Sequence, residues 1–215
     1  MDDSSFQSLA REIAGLNGID QTHHASWGVS TKAVHGYQGR DPQTGSLSFP
    51  LYQTATFAHP ALGESTGFAY SRCGNPTVLE LENTIAQLEG GLKALAFASG
   101  TAAISTFLKQ FRTGDCILAC DDLYGGTYRL FHDVYEDRYG VEFHFIDFTD
   151  IAAVERALAE HPNTKALFIE TPTNPMMHVF DIKALADLAH RNDAILAVDN
   201  TFLTCYFQRP LELGA

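Results

Sequence analysis

The feature that most constrains this chain is the regular alternation of helical and strand patterns from Asn75 onward. Asn75 is a favourable N-cap and Pro76 suits the first helical position, where a missing N–H costs nothing. Val78, Leu81, Ile85 and Leu88 then recur on one helical face, and Gly90-Gly91 ends the helix. A short strand is expected at 94–98, running into Ser99-Gly100-Thr101. The following helix is expected to bury Ile104, Phe107, Leu108 and Phe111 and to stop near Gly114. Further strands are expected at 116–120, 142–146, 166–169 and 195–198. Helices are expected at 127–139, 151–160 and 182–191, the last capped by Asp181. Strands separated by helices predict an α/β architecture, a mostly parallel sheet covered on both faces.

Residues 1 to about 65 have a different texture. Phe6, Leu9, Ile13 and Leu16 fit one short amphipathic helix. The stretch from His23 to Pro60, rich in Gly, Ser, Thr and Pro, reads as an extended arm with turns. An arm of this kind buries little of itself, so it is expected to lie across the domain body or another subunit. The expected division is therefore an arm at 1–65 and an α/β domain at 66–215.

Composition excludes several function classes. With 45% hydrophobic and 19% charged residues, the chain is well supplied for a buried core. A formal charge of −12 opposes a nucleic-acid partner, which needs clustered Lys and Arg. No apolar run approaches membrane-spanning length, and Asp2-Asp3 is the wrong charge for a leader, so a soluble cytoplasmic protein is expected. Cys73, Cys116, Cys120 and Cys205 are too scattered for a disulfide scaffold and suit a reducing compartment. Cys116 and Cys120 share a strand face and read as buried thiols rather than a metal pair. None of the nine histidines has HxxxH or HExxH spacing, so no metal site is expected.

Five expected strands end in polar residues: Ser99, Asp121, Asp147, Glu170 and Asp199. In open α/β sheets the ligand crevice lies outside the carboxyl ends of the strands, so these residues point to one functional rim. The turn 98–103 is built of small residues and opens a helix, where free N–H groups favour a phosphate, although any tight βα turn has this form. Neither GxGxxG nor GxxxxGK[ST] occurs, which disfavours dinucleotide and nucleoside-triphosphate sites. Asp199, ending an apolar strand, suits either a protonated ring nitrogen or the capping of its own turn. Tyr124 is placed to stack on a flat cofactor or to serve as scaffold. Tyr70 and Arg72 read equally as a phosphate clamp and as an exposed loop.

Taken in order, five segments resemble the Cys/Met-metabolism family of pyridoxal-phosphate (PLP) enzymes. They are Tyr70-Ser71-Arg72 with Gly74-Asn75-Pro76-Thr77, then Phe97-Ala98-Ser99-Gly100, then Asp121-Asp122-Leu123-Tyr124-Gly125-Gly126-Thr127. Glu170-Thr171-Pro172-Thr173-Asn174-Pro175 and Val198-Asp199-Asn200-Thr201-Phe202 complete the set, over roughly residues 31–215. The resemblance implies a three-layer α/β/α fold-type-I large domain, like that of aspartate aminotransferase. It implies that Gly100 and Thr101, beside Ser99, bind the cofactor phosphate, and that Tyr70 and Arg72 reach the phosphate of a neighbouring subunit. Tyr124 would stack on the ring and move a proton, Asp199 would hold the ring nitrogen with Thr201 against the ring, and Glu170 and Asn174 would lie nearby.

The same resemblance implies a homo-oligomer, a dimer of dimers with shared active sites, acting on a small amino-acid substrate. The implied activity is a C–S lyase acting by α-proton abstraction and elimination of a thiol, with γ-replacement as the alternative. Tyr124-Gly125-Gly126-Thr127 resembles cystathionine-handling members more than methionine γ-lyases, which tend to carry cysteine after the first glycine. The family's lysine lies in a Ser-x-Thr-Lys segment, and Lys32, Lys93, Lys109, Lys165 and Lys183 have no such context. The chain is therefore expected to be the N-terminal half of the enzyme, its large domain incomplete at the C-terminus. By itself it is expected to be inactive, at most a fragment or assembly partner.

Overall fold

Five consecutive apolar residues, Cys116–Cys120, are all fully buried. A strand that alternates hides one face only. A strand buried at every position must be covered on both, as in the interior of a parallel sheet. The computed structural model, which describes residues 26–37, 41 and 43–215, shows that arrangement. The chain forms two compact units, 1–96 and 97–215.

The second unit contains four parallel strands: β1 (Cys116–Cys120), β2 (Glu142–Ile146), β3 (Thr164–Glu170) and β4 (Ile195–Asp199). Their order in the sheet is β2-β1-β3-β4. Register brings Leu118 opposite His144 and Leu167, and Glu170 opposite Asp199. Phe131, Phe148, Leu167, Ile169 and Leu185 are among the largest fully buried side chains of the core. All four strands fall where the sequence places them, β3 extending two residues earlier and β3 and β4 each one residue later.

In this unit α3 (Gly100–Leu108) begins at the Ser99 N-cap, whose hydroxyl accepts the Ala102 N–H at 3.2 Å. The segment expected as one helix at 127–139 starts earlier and changes type. It runs as α4 (Gly125–Arg129), a π-helical stretch Leu130–Glu136, and α5 (Asp137–Tyr139). Helix α6 (Ile151–Glu160) is capped by Asp150, and α7 (Ile182–Arg191) by Asp181, as its sequence predicts. A short α8 (Thr204–Phe207) and a 3₁₀ turn (Pro210–Leu213) follow β4.

The first unit contains α1 (Val29–His35) and α2 (Pro76–Glu89). Helix α1 lies within the stretch read as an extended arm, so that stretch is not extended throughout. The helix suggested at Phe6–Leu16 lies outside the described residues. Helix α2 has the predicted cap, Asn75 accepting the Thr77 N–H at 2.9 Å, and ends at Gly90 in the left-handed conformation.

Its buried face differs from the expected one. Val78, Leu81 and Ile85 are exposed, whereas Glu80, Thr84, Ala86 and Leu88 are buried. The reason is polar: the Tyr37 N–H, left over as the chain leaves α1, must find an acceptor, and Thr84 Oγ1 supplies it at 2.9 Å. The strand expected at 94–98 is also absent. Among the described residues no strand pairs with it, and the Ala96 N–H turns to the Glu82 carboxylate at 2.9 Å.

Candidate functional site

At the carboxyl ends of β3 and β4 the second unit holds a cavity of about 370 Å³. Its lining includes Ser99, Gly100, Thr101, Tyr124, Glu170, Asn174, Asp199 and Thr201. These are eight of the ten cofactor-site residues expected from sequence. The other two, Tyr70 and Arg72, belong to the first unit. There the Arg72 guanidinium lies 4.9 Å from the centroid of the Tyr70 ring, a cation–π pair, and both residues are exposed. Of the five expected strand-end polar residues, Asp121 and Asp147 do not line the cavity.

Each wall of the cavity has a local cause. At the start of α3, Ser99 occupies the Ala102 N–H with its hydroxyl and the Ala103 N–H with its carbonyl. The N–H groups of Gly100 and Thr101 have no partner among the described residues. They are free helix-terminal donors, the feature that suits a phosphate. A Cβ placed on Gly100 would meet nothing within 4 Å, so the space beside these donors is open.

Across the cavity stand two carboxylates on neighbouring strands. Asp199 Oδ1 accepts both the Thr201 N–H, at 3.1 Å, and the Thr201 hydroxyl, at 2.5 Å. Its other oxygen bonds nothing among the described residues, so the carboxylate is oriented with one acceptor free. Glu170 is buried and acts on the backbone. One oxygen accepts the Tyr124 N–H at 2.9 Å and the other the Asn174 N–H at 2.8 Å. Burial pushes the Glu170 carboxyl above its ordinary range, and the nearby Asp199 charge adds to this. The two backbone donors oppose it.

Glu170 thereby fixes two loops whose side chains line the cavity. Tyr124 is 52% exposed, its ring open to a ligand. Thr127, beneath it, has a buried hydroxyl without a partner among the described residues, and it also lines the cavity. The donor set therefore combines free backbone N–H groups for an anion, an aromatic face, and an oriented carboxylate for a ring cation. That set fits a flat, phosphorylated pyridine.

Sequence reasoning missed the supports of this site. Gly126 is required because a Cβ there would collide with the Tyr124 ring. Asp122 accepts the Met176 N–H at 3.1 Å, tying the loop after β1 to the loop after β3. Gln208 donates to the Thr171 carbonyl at 3.1 Å and to the Asn200 side chain at 2.8 Å, fastening the loops after β3 and β4 together. The adjacent glycines at 125–126 were the one visible signal. The other supports depend on loops that meet only in the fold. Cys120, under the site, is inert: burial drives its thiol up to about 12.

A profile described as Cys/Met metabolism PLP-dependent enzyme matches residues 30–215. Over 187 residues the chain is 46% identical to a cystathionine gamma-synthase/O-acetylhomoserine (thiol)-lyase of Bacillus subtilis (strain 168), covering 87% of this chain and 49% of that relative. It is 45% identical to a cystathionine gamma-lyase of the same organism, over 86% of this chain and 48% of the relative. The crystal structure of a cystathionine gamma-lyase from Lactobacillus plantarum complexed with L-serine matches with a TM-score of 0.82 and 44% identity, over 88% of this chain and 49% of that one. The chain spans about half the length of these relatives. Motifs, sheet and cavity agree with these matches: the chain belongs to the Cys/Met-metabolism family of PLP-dependent enzymes and has their α/β fold.

Proposed function

We propose that this chain supplies the cofactor cradle of a carbon–sulfur lyase that acts on cystathionine or a related thioether amino acid. The single observation that carries the reading is the pairing, across one cavity, of the free N–H groups of Gly100 and Thr101 with the oriented Asp199 carboxylate. Pyridoxal phosphate bound there supplies an electron sink for the substrate's α-carbon. The chain's own residues bind and orient it. Gly100 and Thr101 donate to the phosphate, and Asp199, steadied by Thr201, keeps a proton on the ring nitrogen. Tyr124 would stack on the ring and move a proton at its own phenolic oxygen. Glu170 acts through the backbone, holding the Tyr124 and Asn174 loops at their working distance. Asn174, which lines the cavity, would lie near the cofactor's phenolic oxygen and the substrate carboxylate.

Two further parts lie outside this cavity. None of the five lysines lines it, and in the proposed enzyme the amine that carries the cofactor would come from outside these lining residues. Tyr70 and Arg72, with the arm at 1–65, serve a neighbouring subunit in a cytoplasmic homo-oligomer, a dimer of dimers. The exposed apolar face of α2 supports that assembly. Among the described residues no helix is long and apolar enough to cross a membrane.

The test is cofactor retention followed by assay. The chain is loaded with pyridoxal phosphate and its dissociation constant is measured by the cofactor's visible absorption. Asp199→Ala removes a charge-assisted contact and raises that constant by roughly 10- to 100-fold. Equal affinity in the variant would overturn the cradle assignment. The complete enzyme is then offered cystathionine, and separately an acylated homoserine plus cysteine. Turnover of the second mixture alone would replace the lyase reading with γ-replacement, the activity that the first relative's name includes.

A further inference from the structure

At the opposite end of the sheet from the cofactor cavity, three potential metal ligands converge from three different elements. Cys116 opens β1, His144 lies in β2, and His161 ends α6 just before β3. One ligand atom from each, the Cys116 sulfur and a ring nitrogen from either histidine, lies within 4.8 Å of the others. We propose that Cys116, His144 and His161 form a zinc-binding site, one that sequence spacing does not reveal because its ligands are far apart in the chain.

The register explains the convergence. Cys116 is paired with Glu142 in the parallel ladder, so His144, two residues on, shares its face of the sheet. Cys116 is also paired with Thr164, which brings the α6–β3 turn alongside. That turn is pinned. The Thr164 hydroxyl donates to the His161 carbonyl at 2.7 Å and sits 3.5 Å from the Cys116 sulfur. Asn163 donates to the Gly114 carbonyl at 2.8 Å. Ligands braced in this way are partly organised before any ion arrives.

The chemistry selects the ion. One thiolate and two imidazoles form a borderline-soft set, suited to zinc rather than to magnesium or calcium. Tetrahedral zinc, with bonds of about 2.0–2.3 Å, holds its ligand atoms about 3.3–3.6 Å apart, so the three ligand atoms must draw together as the ion binds. The two rings now stack, centroids 3.7 Å apart and 23° from parallel. Nearly parallel rings hold their in-plane lone pairs in two separate planes, so one ring must turn as the metal enters. Cys116 is fully buried while both histidines are partly exposed, which gives the fourth position to water. The thiol proton leaves on binding, and the Glu142 carboxylate, paired with Cys116 in the ladder, adds negative charge that favours a cation.

Cobalt(II) is the probe, titrated into the metal-free full chain and then displaced by zinc. The expected result is one equivalent per chain, a tetrahedral visible spectrum and a thiolate-to-metal charge-transfer band. Cys116→Ser abolishes that band, and His161→Asn weakens zinc binding by roughly tenfold or more. Cys205→Ser leaves both unchanged. If Cys116→Ser does not fold, His144→Asn and His161→Asn decide the matter. A wild-type chain without a thiolate band, a band that survives Cys116→Ser, or binding indifferent to both histidine changes would each overturn the site. The two rings would then be packed only against each other.

Discussion

The two units of this chain differ in how far they bury their apolar residues. In the second, β1 and most of β3 are buried, and Phe131, at 0% exposure, stacks on Phe143 at 4.6 Å and meets Phe168 edge-on at 5.0 Å. In the first, α2 turns Glu80 and Thr84 inward and leaves Val78, Leu81 and Ile85 in the open. The second unit closes a hydrophobic core of its own, although Met176, Val179 and Phe207 stay exposed at its surface. The first leaves an apolar stripe of α2 exposed, the face that the proposed assembly would cover. The lesson is that helical periodicity identifies an apolar face, while the fold decides what that face meets.

This contrast breaks most readily in the second unit. Phe131→Ala is expected to cost about 3–5 kcal/mol, because it removes three-ring packing and leaves a cavity that the rigid sheet cannot close. Urea unfolding monitored by circular dichroism reads the loss. A cost below about 1 kcal/mol would mean that the core is less tightly closed than its burial indicates.

A smaller effect tests the polar rim of the same unit. The Glu170 carboxyl is raised in the folded state by burial, so the folded chain holds its proton to higher pH than the unfolded chain does. Its contribution is fully favourable below the ordinary carboxylate value and declines as pH rises through the raised one. The slope cannot exceed about 1.4 kcal/mol per pH unit for one proton. Glu170→Gln adds a constant cost, since an amide cannot accept from both Tyr124 and Asn174, but it removes this slope. Stability measured against pH for both proteins separates the two effects, and identical slopes would deny Glu170 its raised value.

Much of the second unit was legible in the sequence because local pattern and tertiary environment agree there. Continuous apolar runs such as 116–120 mean strands covered on both faces, and Asp181 signals the start of α7 through its own side chain. Eight rim residues were legible by position at strand ends and by motif. What was not legible depends on partners remote in sequence. Residues 94–98 have strand composition, yet a strand exists only where another pairs with it. Gly126 matters through the Tyr124 ring above it, and Cys116 meets His144 and His161 only through sheet register.

In the first unit the expected effects are smaller, and there the comparison is sharpened. Asn75→Ala removes the α2 cap and two further bonds, from its side-chain amide to the Tyr52 carbonyl and to the Ser71 hydroxyl. The expected cost is about 1 kcal/mol or somewhat more, because three partners are lost together. Asn75→Asp keeps the cap acceptor and loses the other two bonds. Thermal unfolding of the pair divides the total between helix capping and loop closure.

Leu81→Ala is the mildest change and the most direct test of what the first unit is for. Leu81 is 52% exposed, so little packing is lost and alanine is the better helix former. Stability of the isolated chain should shift by less than about 0.5 kcal/mol. If the α2 face is an assembly surface, the same change weakens self-association, because Leu81 lies between Val78 and Ile85 on the exposed stripe. Sedimentation at several concentrations, compared with the unfolding curve, reads both quantities on one variant. Lower stability with unchanged association would place Leu81 in the chain's own core and erase the contrast between the units. Unchanged stability with weaker association would show that an apolar face left open by folding is closed by a partner.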